Sequence, residues 1–216
     1  VAGTLMSREN LLHRVRTALG RNAGQPPAEA PALRLRIPEC DAGSRAGLLR
    51  ERVEALAGRT AYVESPAAAC EYVANVTGER PVVASNAPFL RQCGITGLAN
   101  VRSGISDRDE LRALCAAADF GVTSADYALA DTGTLVMIAS SEEARLVSLL
   151  PPAHIAVVPS DRILTSLDEL FSVLPLPADR TSSMVLITGP SRTADIEQIL
   201  VRGVHGPGEI HVVVVE

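Results

Sequence analysis

The run Ile210-His211-Val212-Val213-Val214-Val215 constrains this chain more than any other feature. Successive residues of a strand face opposite sides, so an unbroken apolar run needs cover on both faces. His154–Val158 and Met184–Thr188 have the same character. Between them lie segments of helical period. Leu167, Leu170, Phe171 and Leu174 form one stripe, and Ser166 with Glu169 precedes it as a capping box. Two-faced strands alternating with amphipathic helices predict an α/β domain, a Rossmann-like open, mostly parallel sheet with helices on both faces.

The N-terminal part reads differently. Ser7 caps a helix over 7–19 whose stripe is Leu11, Leu12, Val15, Ala18 and Leu19. Pro26, Pro27, Pro31 and Pro38 then forbid regular helix up to about residue 43. The expected division is a helix and proline-rich arm over 1–43 and the α/β domain over 44–216. The first helix is free to pack loosely or against another chain, a second copy included. Within the domain, strands are expected at Thr60–Val63, Pro81–Ser85, Phe120–Thr123, Tyr127–Ala130 and Thr134–Ala139. Helices are expected around Leu49 and Val53, around Ala69 and Val73, and around Leu111 and Leu114 behind a Ser106–Asp109 capping box. A short helix capped by Ser141 and a last one carrying Ile196, Ile199 and Leu200 complete the pattern.

Composition excludes several classes. The net charge is −5 and the basic residues are scattered, which suits neither duplex nucleic acid nor an anionic membrane. No Trp and only three Phe and three Tyr leave little for stacking bases. All 20 basic residues are Arg; a Schiff-base Lys and a Walker phosphate loop are therefore absent. No apolar run is long enough to span a bilayer and the start does not read as a secretory signal, so a cytoplasmic protein is expected. Cys40, Cys70, Cys93 and Cys115 are widely spaced, as in a reduced protein without a metal of its own, with Cys93 as the expected exposed thiol.

Two junctions could hold a ligand. Thr188-Gly189-Pro190-Ser191-Arg192-Thr193 follows an apolar strand and is expected to open a helix. Backbone amides, two hydroxyls and a guanidinium there could grip a phosphate or carboxylate; ordinary capping by Ser191 or Thr193 is the competing reading. A cation at a helix start is repelled by the helix dipole, so Arg192 would gain from a bound anion. Asp131-Thr132-Gly133-Thr134 reads first as a hairpin turn, and otherwise as an oxyanion cradle with Asp131 as base. Arg145 is a candidate second anion clamp. His154 is a candidate ligand group or a hydrogen-bonded core histidine, His205 lies on a glycine-rich loop, and His13 and His211 read as surface or edge positions.

Three segments taken together resemble the LUD-domain family: Gly121-Val122-Thr123-Ser124-Ala125-Asp126 running on to Asp131-Thr132-Gly133-Thr134; Arg145 to Ile155 with its Leu-Leu-Pro-Pro-Ala-His; and Thr188 to Glu197 with Gly203-Val204-His205-Gly206-Pro207. The resemblance is close over the C-terminal half. It implies the fold shared by glucosamine-phosphate deaminases, ribose-phosphate isomerases, CoA transferases and formyltetrahydrofolate cyclo-ligases. It also implies a role beside two iron–sulfur partner proteins in oxidising L-lactate to pyruvate. In that scheme this short member carries no cofactor and the iron–sulfur clusters sit in the partner subunits. The two junctions themselves add the expectation of one small-anion pocket at the carboxyl ends of the strands, containing Thr132, Gly133, Ser191 and Arg192. The alternative, by analogy with fold relatives, is a free-standing enzyme on a phosphorylated or acyl-CoA substrate.

Overall fold

Residues 7–22, 24–26, 40–194 and 200–216 are described by the structure, a computed structural model. The chain divides into two units, 1–34 and 35–216. In the first, α1 (Arg8–Ala18) is capped as expected by Ser7, whose hydroxyl accepts the Asn10 N–H. None of its residues is buried, and Leu11, Val15 and Leu19 are exposed.

The second unit opens with α2 (Ala42–Ala55), β1 (Arg59–Val63), α3 (Pro66–Thr77), β2 (Val82–Ala84), α4 (Pro88–Gln92) and β3 (Val101–Arg102). It continues with α5 (Arg108–Ala117), β4 (Phe120–Ser124), β5 (Tyr127–Leu129), β6 (Thr134–Ile138), α6 (Arg145–Leu149) and β7 (Ala153–Pro159). It ends with β8 (Ile163–Leu164), α7 (Leu167–Val173), β9 (Met184–Ile187), β10 (Arg192–Ala194), β11 (Leu200–Arg202) and β12 (Glu209–Val215). The caps shift in two places. Asp107, not Ser106, caps α5, its carboxylate accepting the Asp109 and Glu110 amides. Ser141 caps nothing: α6 starts only at Arg145, with no side-chain cap.

Six strands form an all-parallel sheet in the order β1-β12-β7-β4-β2-β3. The two-faced runs lie at its centre. Ile155, Val157, Val213 and Val215 pack on one side against Ala69 and Val73 of α3 and Leu90 of α4. Ala156, Val158, Val212 and Val214 pack on the other against Leu49 and Val53 of α2. The expected mostly parallel α/β architecture is thus present, with an addition. A second sheet, β8-β5-β6-β9, covers part of the α2 side; its β5–β8 pair is parallel and the rest antiparallel. The 184–188 run therefore is no two-faced parallel strand. As β9 it pairs, among the described residues, only with β6, at an edge, and Leu186 is exposed.

Two further expectations change. Arg192–Ala194 and Leu200–Arg202 are strands paired antiparallel, where a helix was expected; Ile196 and Ile199 lie outside the described residues. Cys93 is buried, because 88–97 folds back as α4 and a turn that place it with Leu90 and Ile95 in the core.

Helix α6 approaches β4 so closely that only glycine fits below it. A Cβ on Gly121 would lie 1.8 Å from the Val147 carbonyl oxygen and 3.1 Å from the Pro151 ring. A backbone carbonyl and a proline ring leave no flexible neighbour to yield. Gly121→Ala is therefore expected to destabilise the chain by about 3 kcal/mol or more, at the upper end of overpacking costs. Denaturant unfolding should give a lower midpoint, whereas Gly47→Ala, with open space around it, should not.

Candidate functional site

The turn 130–133 joins β5 to β6, and 188–191 leaves β9 beside it, because β6 pairs with both strands. It is the hairpin turn expected, with Gly133 at φ 68°. Thr134 Oγ1 donates to Thr132 Oγ1 at 2.8 Å and shares a 2.8 Å bond with Thr188 Oγ1; Thr132 Oγ1 donates to Asp131 Oδ1 at 3.2 Å. This chain of hydroxyls runs from exposed Asp131 to buried Thr134. Both turns press on the end of α2: a Cβ on Gly133 would lie 2.9 Å from the Arg52 Cβ, and one on Gly189 3.0 Å from the Leu56 Cβ. Asp131, Thr132, Gly133, Thr134 and Gly189 thus meet at the carboxyl ends of β5 and β9, beside the amino end of β1.

Ser191, Arg192 and Thr193 reach the same corner on a strand. Ser191 donates its N–H to the Pro207 carbonyl at 2.8 Å and accepts the Gly203 N–H at 3.1 Å. That ties it to the loop carrying exposed His205. The exposed Arg192 guanidinium donates to the carbonyl of Leu56, the residue that closes α2. A helix C-terminus needs donors and favours a cation, so Arg192 caps α2 and meets none of the repulsion expected at a helix start.

The histidines near the sheet are structural. His154 is fully buried, with Nε2 2.7 Å from Thr123 Oγ1 and Nδ1 without a partner. Burial, with His211 adding to it, pushes its pKa down from 6.5 to about 3, so the ring is neutral. His211, expected at a surface or edge position, is buried because β12 lies inside the sheet, between β1 and β7. Tyr72 Oη contacts its Nδ1 at 2.8 Å and Glu209 Oε1 its Nε2 at 2.9 Å.

At the opposite end of the parallel sheet the residues are ones the sequence reading passed over. Glu143 is buried, yet it forms no ion pair among the described residues. Its Oε2 accepts Ser85 Oγ at 2.8 Å, just beyond β2, and lies 3.4 Å from the Ser124 N–H at the end of β4. Its Oε1 has no partner. Burial pushes this carboxyl up from 4.5 to about 8, against the two hydrogen bonds and with the help of the Asp126 charge. Asp126, between β4 and β5, is itself raised by burial while its Oδ2 accepts the Ile138 N–H at 2.6 Å.

Arg145 stands at this end too, apart from the other expected residues. It donates to Ser183 Oγ at 3.2 Å and, with Arg108, lines a cleft of about 420 Å³ walled by Leu111, Ala144, Leu146 and Leu149. Neither arginine is in an ion pair among the described residues. A second cleft, of about 260 Å³, contains Ser124, Asp126 and Arg162. Nothing in Ser140-Ser141-Glu142-Glu143-Ala144-Arg145 distinguishes the buried glutamate from its exposed neighbour Glu142. Only the topology, which folds this turn over β2 and β4, selects it.

Two opposite pH dependences follow. The folded chain keeps Glu143 protonated up to about pH 8, whereas the unfolded chain releases that proton near 4.5. Its stabilising contribution is full below 4.5 and is lost as pH rises toward 8. The unfolded chain protonates His154 near 6.5 and the folded chain only near 3, so that contribution is lost as pH falls through this window. Glu143→Gln should flatten the alkaline decline and leave the acid one, melting several degrees above the parent at about pH 8.5, at about 2–4 °C per kcal/mol for a chain of this size. Melting curves across pH check it; a uniformly lower curve for the variant would mean that the folded chain holds Glu143 ionised.

Comparison with known proteins places these elements in a family. The LUD domain model matches residues 47–215. The chain is 38% identical over 145 residues to Lactate utilization protein C of Halalkalibacterium halodurans, covering 63% of each chain. It is 31% identical over 224 aligned residues to the Lactate utilization protein C of an Exiguobacterium species, covering 99% of this chain and 97% of that one. The match therefore spans less than two thirds of the first relative and nearly all of the second. The crystal structure of a DUF162 family protein from Deinococcus radiodurans shares the fold, with a TM-score of 0.64 at 20% identity over 82% of this chain and 100% of that one. This chain belongs to the LUD-domain family.

Proposed function

We propose that this chain serves lactate utilisation as a non-redox subunit beside iron–sulfur proteins that oxidise L-lactate to pyruvate, and that it holds a small organic anion in the Arg108–Arg145 cleft. The first half is supported by relatives named Lactate utilization protein C, one aligned over nearly its whole length. The placing of two cysteines supports leaving the clusters to partners: Cys93 and Cys115 are buried in separate apolar clusters of the core.

The observation that carries the second half is the pair of guanidiniums in one apolar-walled cleft without a carboxylate between them. A bound carboxylate would supply that partner, and the Leu and Ala walls suit a short aliphatic body. Arg192 was the other candidate, but its guanidinium already serves the end of α2. Asp131, Thr132 and Thr134 likewise spend their hydrogen bonds on each other. A phosphorylated or acyl-CoA ligand remains the competing reading, since arginines also bind phosphate.

Two measurements test this. Co-expressed with two iron–sulfur partner subunits, the tagged chain should purify in a stoichiometric complex whose lactate-dependent dye reduction collapses when the chain is omitted. Full turnover without it would end the reading. Replacing Arg108 and Arg145 together by Ala should weaken L-lactate binding to the isolated chain at least about 10-fold, given about 1.5–3 kcal/mol for each charged hydrogen bond. Melting should change little, because both side chains are exposed. Binding of acyl-CoA or phosphate esters, with none of L-lactate, would favour the competing reading.

A further inference from the structure

We infer that Glu143 is the acid–base group of this cleft, exchanging a proton with the hydroxyl of a small 2-hydroxycarboxylate by way of Ser85 Oγ. The inference rests on the reading that the cleft binds such an anion, and it identifies the residue that handles the proton.

The position is the first argument. From β2 the chain steps to β3 on one side of it, and from β4 through β7 and β12 it runs the other way. The two windings diverge between β2 and β4, so the crevice beyond their carboxyl ends is the topological switch point, where open parallel sheets bind ligands. Ser85 follows β2 there, and Ser124 ends β4. Both meet Glu143 Oε2.

The turn bearing Glu143 is built to hold it. Ser140 Oγ accepts the N–H groups of Glu142 and Glu143 at 3.2 and 2.9 Å, Ser140 N–H donates to the Glu143 carbonyl at 3.2 Å, and Asn86 N–H donates to the Glu142 carbonyl at 2.8 Å. A buried carboxyl with one oxygen unpartnered is costly, and packing alone would favour an apolar residue. Ser85, itself buried, is its hydroxyl partner. Together with Leu111 and Ala144 it lines a crevice of about 10 Å³, and Leu111 and Ala144 also wall the Arg108–Arg145 cleft.

The chemistry balances as follows. The ligand hydroxyl passes its proton to Ser85 Oγ while the Ser85 proton moves to Glu143 Oε2. The remaining hydrogen of the oxidised carbon and its two electrons would be taken up by the iron–sulfur partners, so that L-lactate yields pyruvate, two protons and two electrons; this chain's residues handle only the hydroxyl proton. In the reverse direction Glu143 returns the proton. The charged group that acts on it is Asp126, from the β4–β5 link, with Arg162 acting in turn on Asp126; Arg108 and Arg145 line the neighbouring cleft from α5 and α6. A carboxyl titrating near 8 can serve in both directions close to neutrality.

The test has two arms. Calorimetry of L-lactate binding to the full chain, in buffers of different ionisation enthalpy, should show a proton linkage between about pH 7 and 9 that disappears in Glu143→Gln and in Ser85→Ala. The second variant keeps the carboxyl and breaks only the relay. In the complex, lactate oxidation by the parent should rise with pH to a plateau above about 8, as the carboxylate form accumulates. Glu143→Gln should lose that break and at least about 100-fold in turnover. Lactate binding without proton linkage, or parallel pH profiles for parent and variant, would overturn this inference alone. Absence of lactate binding in the parent would overturn the anion reading beneath it as well.

Discussion

Everything at the carboxyl end of the sheet depends on the seat of α6 on β4. The Val147 carbonyl occupies the space a side chain would fill at Gly121. That contact fixes a helix of only five residues, too short to hold its own place, against the strand beside the switch point. The turn before α6 then has one place to go, over the ends of β2 and β4, where Asn86 and Ser85 engage it. Arg145, the first residue of α6, is aligned by the same contact on the outer side. One missing side chain in β4 thus sets the positions of both the buried acid and the exposed cation.

Neutrality of the interior is the second organising fact. His154 and Glu143 lie toward opposite ends of the parallel strands, and burial moves each toward its uncharged form, the imidazole down and the carboxyl up. Their environments differ in one respect that matters for chemistry. Beyond Thr123, His154 is packed in the sheet with no cleft beside it among those described. Glu143 is bonded to Ser85, which lines a small crevice whose walls Leu111 and Ala144 are shared with the Arg108–Arg145 cleft. A buried group that cannot meet a ligand is a packing problem solved by staying neutral, whereas one that can meet a ligand is a proton store.

The fold was legible because its strongest signals are local. Unbroken runs such as Ile155–Val158 and Val212–Val215 can be buried on both sides only in a covered parallel sheet, and helix stripes supply the cover. What was not legible depended on which surface a segment meets. The 184–188 run looks like its two-faced counterparts but sits at an edge, since nothing in its composition records that β6 is its only partner among the described residues. His211 follows the same rule in reverse, a polar residue at a strand start that Tyr72 and Glu209 make tolerable inside. At the candidate site, Arg145 was visible as a cation before a proline pair. Glu143 was not, because its exposed neighbour Glu142 has the same side chain and only folding tells them apart.

Arg192 shows how the same residue changes meaning with its local structure. Following a strand and Gly-Pro, it would open a helix, where a guanidinium faces the positive end of the dipole and calls for an anion. As part of β10 it reaches instead the negative end of α2, where the Leu56 carbonyl lacks an intrahelical donor. The electrostatic argument for an anion therefore does not vanish but transfers to the arginines whose charge no helix end or carboxylate answers. Arg108 and Arg145 meet that condition, and Arg145 does so two residues from Glu143, a buried carboxyl at the divergence of the strand order. Charge left unanswered, next to a proton held out of water, is the ground for proposing a ligand site there and not at a cap built of the same residue type.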